Sequence, residues 1–154
     1  MRFVLKSFDQ LTTSELYRIL QIRAEVFVVE QDCVYQDVDG KDMKGHHVLG
    51  YANGRIEAYT RILPPGISYE NHASIGRVLT TEGNRGSGAG KQLMHQSIKY
   101  CKELYPDNDI KISAQTYLLS FYNDLGFKEW GESYLEDGIP HIAMVFSNPS
   151  GKAE

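Results

Sequence analysis

The sequence predicts an α/β domain: a single mixed, mostly antiparallel sheet flanked by helices. Three observations carry this. Apolar residues switch between a period of two and a period of 3.6 along the chain, giving the order β, α, an irregular or short helical segment, β, β, β, α, β, α, β, β. Asn53-Gly54 and Asp137-Gly138 each sit between two strand patterns, where two-residue turns make antiparallel hairpins. Residues 73–116 run strand, glycine loop, helix, strand, the connection that makes a parallel step. With 154 residues, 42% apolar and 23% charged, one domain buries a core of its own and a second has no room. That domain is expected over residues 1–147, with 148–154 as a flexible C-terminal tail.

Taken in order, "RFVLKSF" (2–8) has strand composition and suits an edge position. Thr12 and Glu15 form a capping-box pair, and Leu16, Ile19, Leu20, Ala24 and Phe27 follow as the apolar stripe of a helix. From 28 to 44 the period dissolves into acidic, aromatic and glycine residues. Two strands follow around Asn53-Gly54, then a break at "LPPGISYENH" and the strand "ASIGRVLT" (73–80). Leu93, Met94, Ser97, Ile98, Cys101 and Leu104 recur at helical spacing until Pro106. "DIKISAQT" alternates as a strand, "YLLSFYNDLG" is a short helix stopped by Gly126, and "FKEWGESYLE" with "IPHIAMVFS" closes the sheet.

A formal charge of −4 argues against a general nucleic-acid binder, so an anionic ligand has to be held locally. The N-terminus lacks an apolar core of signal-peptide length and no apolar run reaches membrane-spanning length, so a cytoplasmic protein without membrane partners is expected. Cys33 and Cys101 are read as reduced thiols. No metal is expected: aligning Gly40 with the glycine of a calcium loop puts Tyr35 and His46 where carboxylates are needed, and Cys33, His46 and His47 lack zinc spacing.

The informative stretch is "TEGNRGSGAGK" (81–91), four glycines between a strand and a helix. A helix start offers unpaired N–H groups and a positive dipole end, and glycine lets an anion approach the backbone; Arg85 and Lys91 add charge. A Walker A loop fails because Gly88 is followed by Ala89, and Gly90-Lys91 has Arg85 at the first-glycine position and Gln92 after it. A dinucleotide fingerprint started at Gly86 and Gly88 ends on Lys91, and the acid expected some 20 residues on falls at a helix end.

The pattern that fits is Arg85-x-x-Gly88-x-Gly90 after a strand ending at Thr80. Here the sequence resembles the GNAT superfamily of N-acetyltransferases, whose acyl-CoA pyrophosphate loop has this form. "SFYNDLGF" (120–127) looks like the later F-Y-x-x-x-G-F motif, and residues 27–30, "DVDGKD" and "EDGIPHIAM" resemble the small ElaA-like branch.

The resemblance implies the acyl-CoA N-acyltransferase fold, with acetyl-CoA as the acyl donor. Its pyrophosphate would lie on the N–H groups of Arg85, Gly86, Ser87, Gly88, Ala89, Gly90 and Lys91, and its pantetheine arm along Val78 and Thr80, much as a peptide adds to a sheet edge. An N–H near Leu79 would polarise the thioester carbonyl, and Tyr122 would protonate the departing thiolate. The base is left unassigned among Glu30, His46, His47, Glu136, Asp137 and His141, with Glu30 and His141 first to test.

The acceptor implied is a primary amine on a small molecule or peptide, and the acidic stretch 30–42 with Glu136 and Asp137 favours a cationic one. A homodimer is left open. Two alternatives stand beside the enzyme: a non-catalytic acyl-CoA sensor and a nucleotide-binding regulator.

Overall fold

Asn53 and Gly54 take φ of 54° and 77°, the two positive angles of a type I′ turn, and so join β2 (His46–Ala52) to β3 (Arg55–Leu63). Asp137 and Gly138, at 52° and 78°, do the same between β6 (Lys128–Glu136) and β7 (Ile139–Phe146). With β1 (Arg2–Ser7), β4 (Ala73–Thr80) and β5 (Ile110–Gln115) these form one seven-stranded sheet in the order β1-β2-β3-β4-β5-β7-β6. Every neighbouring pair is antiparallel except β4 and β5. The computed structural model describes residues 1–148.

Helices cover both faces. On one lies α1 (Thr13–Arg23), started by the Thr12 and Glu15 capping box; its Ile19 and Ile22 meet Leu49, Ile56, Tyr59 and Leu79. The buried face is centred one position away from the expected stripe: Arg23 is fully buried while Ala24 is exposed. The helix continues without a break into a π-helical stretch, Ala24–Glu30, which enters the segment from residue 28 expected to be irregular or a short helix. On the other face α2 (Ala89–Leu104) sets Leu93, Met94, Ile98 and Cys101 against Val48, Ala58, Ile62 and Ile75. Each fully buried aliphatic side chain contributes about 1.5–3 kcal/mol. The third helix, α3 (Leu119–Asp124), ends at Gly126, whose φ of 105° suits the expected stop.

The parallel step is short. Only Ala73 with Ile110 and Ser74 with Lys111 pair across β4 and β5, after which the strands part. The cause lies in β4 itself: between the pairs Tyr59 with Leu79 and Arg61 with Gly76, Thr60 alone faces Arg77 and Val78, with Arg77 at φ 51°. A bulge of this kind bends the strand and increases its twist.

At the C-terminus Asn148 is buried, its backbone N–H donating to Asp109 Oδ1 (2.9 Å) and its amide to the Pro106 carbonyl (2.9 Å), so the chain is held one residue beyond the expected domain limit. The rest of the expected tail, 149–154, lies outside the described residues.

Candidate functional site

Where β4 and β5 part, a cleft of about 790 Å³ opens, walled by both strands, the π-helical end of α1, the start of α2, α3 and the β6–β7 turn. It takes in Val78, Leu79, Thr80, Arg85, Gly90 and Tyr122, six of the residues singled out by sequence. Gly86, Ser87, Gly88 and Lys91 are exposed beside it, and Ala89 is buried at the foot of α2.

Strand alternation decides which way the β4 backbone faces. The Thr81 N–H donates to the Glu57 carbonyl on β3 at 2.9 Å. Two residues back, alternation turns the Leu79 N–H towards β3 as well and the Thr80 groups away from it, and both Val78, at the bulge, and Thr80 line the cleft. The Leu79 side chain belongs to the core under α1, and the residue also borders the cleft. The Thr80 carbonyl already accepts from Arg85 Nε at 2.9 Å.

The glycine loop is fastened from below. Glu57 Oε2 accepts from Thr81 Oγ1 (3.2 Å) and from the Asn84 amide (2.9 Å), and Arg18 pairs with the other carboxylate oxygen. Gly86 and Gly88 take φ of 85° and 82°, left-handed conformations that favour glycine, and Gly88 caps α2. The loop thus presents the free N–H groups of a sixteen-residue helix next to an unpaired stretch of β4. An extended, amide-bearing ligand with a phosphate end fits this geometry on two counts.

Tyr122 enters from α3 and is almost wholly enclosed. Burial, with a smaller contribution from Tyr117, pushes its phenol up to about 12, so it stays protonated across the neutral range.

The acidic segment is used differently from the expectation that it attracts a cationic acceptor. Arg23 donates from Nε to Asp37 Oδ2 (2.8 Å) and from Nη1 to Asp42 Oδ1 (2.7 Å). Arg61 binds Asp39 through both terminal nitrogens (2.9 Å each) and also reaches Asp42 (2.9 Å). Arg77, at the bulge, pairs with Asp37 (2.8 Å) and Asp39 (3.3 Å). Guanidiniums from α1, β3 and β4 therefore neutralise "DVDGKD" and pin residues 35–42 against the sheet, where Tyr35, Asp39 and Lys41 form a wall of the cleft. A long acidic run reads as a solvated face, and only the buried arginine on the core face of α1 signals otherwise.

The candidate bases separate. His47 is buried away from the cleft: its Nε2 donates to the Asp42 carbonyl (3.0 Å), and its Nδ1 accepts from the Tyr59 hydroxyl (2.6 Å). Both nitrogens are occupied and burial holds its pKa down. His46 does not line the cleft either. Glu30 does, but it is ion-paired with Arg85 at 2.7 Å. Glu136, Asp137 and His141 all line the cleft, with Ser113 and Tyr69, which sequence reasoning did not single out. Among the described residues no cluster of side chains is suited to a metal ion, and no helix is long and apolar enough to cross a membrane.

A splayed parallel pair beside a glycine loop, on a sheet of this order, defines an acyl-CoA N-acyltransferase architecture, and comparison with known proteins bears it out. The model of the acetyltransferase (GNAT) domain matches residues 14–147, and the chain belongs to the GNAT superfamily as an ElaA-like member. It is 45% identical to protein ElaA of Escherichia coli K12 over 139 residues, 89% of this chain and 90% of the relative. A UPF0039 protein of Synechocystis is 40% identical, covering 92% of each chain. Among solved structures, an acyl-CoA N-acyltransferase from Pseudomonas aeruginosa superimposes with a TM-score of 0.89 at 41% identity, covering 96% of this chain and all of that one (100%). Escherichia coli ElaA gives 0.89 at 40% identity, with coverage of 96% and 100%. Acyl-homoserine lactone synthases such as MesI share the fold alone, with a TM-score of 0.75 at 15% identity and coverage of 98% and 92%. The family is one of acyl-CoA-dependent acyltransferases, as the sequence resemblance implied.

Proposed function

We propose that this protein transfers an acetyl group from acetyl-CoA to a primary amine by direct attack within a ternary complex. The observation that carries the reading is the parting of β4 from β5, which leaves Val78 lining one cleft together with Arg85 and Gly90 of the glycine loop and the buried phenol of Tyr122. The N–H groups of residues 85–91 hold the pyrophosphate. Val78 and Thr80 guide the pantetheine arm, with Arg85 releasing the Thr80 carbonyl as it moves to the phosphate. The Val78 N–H, rather than that of Leu79, steadies the carbonyl oxygen as it gains charge.

A thioester is already activated, so no covalent enzyme intermediate is needed; orientation and proton transfer suffice. Tyr122, neutral because it is buried, supplies the proton that the departing thiolate takes up.

The test is incubation with acetyl-CoA and a panel of polyamines, lysine-bearing peptides and arylalkylamines, following free thiol and product mass, alongside thermal shifts with CoA and ATP. Acetylated amine with stoichiometric thiol is expected. Stabilisation by CoA without turnover on any amine would leave a sensor instead, and preferential stabilisation by ATP would leave a nucleotide binder.

A further inference from the structure

His141 stands on β7, opposite Gln115 of β5 on one side and Tyr134 of β6 on the other, with its side chain almost enclosed and lining the cleft. Its Nδ1 lies 2.7 Å from the Ile139 carbonyl oxygen. A carbonyl only accepts, so Nδ1 carries the proton and, in the neutral ring, Nε2 carries the lone pair. The Tyr134 ring stacks on the imidazole at 6.3 Å between centroids and 22° between planes, fixing its orientation. Nε2 faces the Glu136 carboxylate at 3.7 Å, and Glu136 is in turn held by the Ser113 hydroxyl at 3.0 Å.

The groups around the ring are therefore the carboxylate of Glu136 and phenol of Tyr134 from β6, the uncharged Ser113 and Gln115 from β5, and Asp137 in the connecting turn. Tyr69 lines the same region, its phenol raised to about 12 by burial, Tyr134 and Glu136. The described cationic side chains of the opposite wall are committed elsewhere: Arg61 and Arg77 to the aspartates, Arg85 to Glu30, and Lys41 Nζ to Ser68 Oγ at 3.1 Å.

We propose that His141 is the general base of the transfer and that Glu136, half exposed at 49%, is the carboxylate that receives the acceptor as an ammonium ion. This rests on the acetyltransferase reading above. An amine reaches the site protonated and cannot attack until it loses a proton. The ammonium docks on Glu136, and one proton passes to His141 Nε2 and on to water. The freed nitrogen lone pair forms the N–C bond, the C–S bond breaks, and the nitrogen's second proton is lost as the thiolate takes one from Tyr122, which is thereby restored. Ammonium plus thioester gives amide, thiol and one proton, so the step balances.

The geometry also separates His141 from the other imidazoles. His47 has no nitrogen left to accept a proton, and His46 does not reach the cleft.

The test compares pH profiles of turnover for wild type, His141→Ala, His141→Gln and Glu136→Gln, using the amine from the panel that wild type acetylates fastest. The acceptor's own ionisation is common to all four, so differences belong to the protein. His141→Ala and His141→Gln are expected to lose about 100-fold in kcat, with the acid limb flattened and free imidazole restoring part of the rate to the alanine variant. CoA binding should be unchanged, which shows that these variants are folded. Glu136→Gln, at an exposed position, should raise KM for the amine with kcat little changed, because the carboxylate that receives the ammonium is gone. A folded His141 variant with the wild-type limb, or Glu136→Gln with an unchanged KM for the amine, overturns the assignment while leaving the transferase standing. If wild type acetylates no amine in the panel, the transferase reading fails first and the base goes with it.

Discussion

Replacing Arg23 by Met tests whether the acidic segment is held by the core. Arg23 is fully buried and contributes three hydrogen bonds: to Asp37 Oδ2 (2.8 Å), the Asp37 carbonyl (3.1 Å) and Asp42 Oδ1 (2.7 Å). Removing one partner of a buried pair costs ~3–5 kcal/mol, since it strands a desolvated charge. Here Asp37 keeps Arg77 and Asp42 keeps Arg61, so the low end applies, about 3 kcal/mol. For a chain of this length that lowers Tm by roughly 6–12 °C.

Urea unfolding followed by circular dichroism, with limited proteolysis across residues 31–45, reads both the global and the local effect. The Asp39 and Asp42 carboxyls are held below the ordinary 3.8: burial opposes this, but hydrogen bonds from Arg61 and the Lys41 amide to Asp39, and from Arg23 and Arg61 to Asp42, outweigh it. Groups with depressed values stabilise the fold fully above their unfolded pKa and lose that contribution as pH falls through the folded one. The gap between wild type and Arg23→Met should therefore narrow below about pH 4. A loss under about 1 kcal/mol, the value of an exposed pair, would refute the reasoning.

Further outcomes follow from the cleft. Tyr122→Phe should lower kcat about 100-fold with CoA affinity unchanged; because the phenol titrates near 12, wild type should show no alkaline limb from it at neutral or mildly alkaline pH, and a limb there that vanishes in the variant would contradict its enclosure. Glu30→Gln frees Arg85 from its 2.7 Å ion pair, and calorimetry should find CoA bound more tightly, by no more than about five-fold for so exposed a pair. Weaker binding would mean that Glu30 positions Arg85 rather than competing for it. Gly88→Ala forces a side chain to φ 82°, which costs about 1–2 kcal/mol and turns the first turn of α2 off its aim; both Tm and CoA affinity should fall.

Local chemistry made much of this protein legible in one dimension. Asn53-Gly54 and Asp137-Gly138 need positive φ at both positions, so their hairpins follow from the residues themselves. The period of α2 and the glycines before it place a helix start at the end of a strand, which is why Arg85, Gly88 and Gly90 could be singled out without coordinates. Contacts between distant residues were a different matter. The bulge at Arg77 depends on pairing with β3, and beside it β4 parts from β5. Asp37, Asp39 and Asp42 look like a solvated acidic face until Arg23, Arg61 and Arg77 arrive from three separate elements. His141 and His47 are the same residue type in similar strand patterns; what separates them is that one has a lone pair facing a cleft and the other a tyrosine hydroxyl. Backbone preferences act over a few residues and are written in the sequence, whereas the partner of a charge or a ring nitrogen is chosen only when the chain closes on itself.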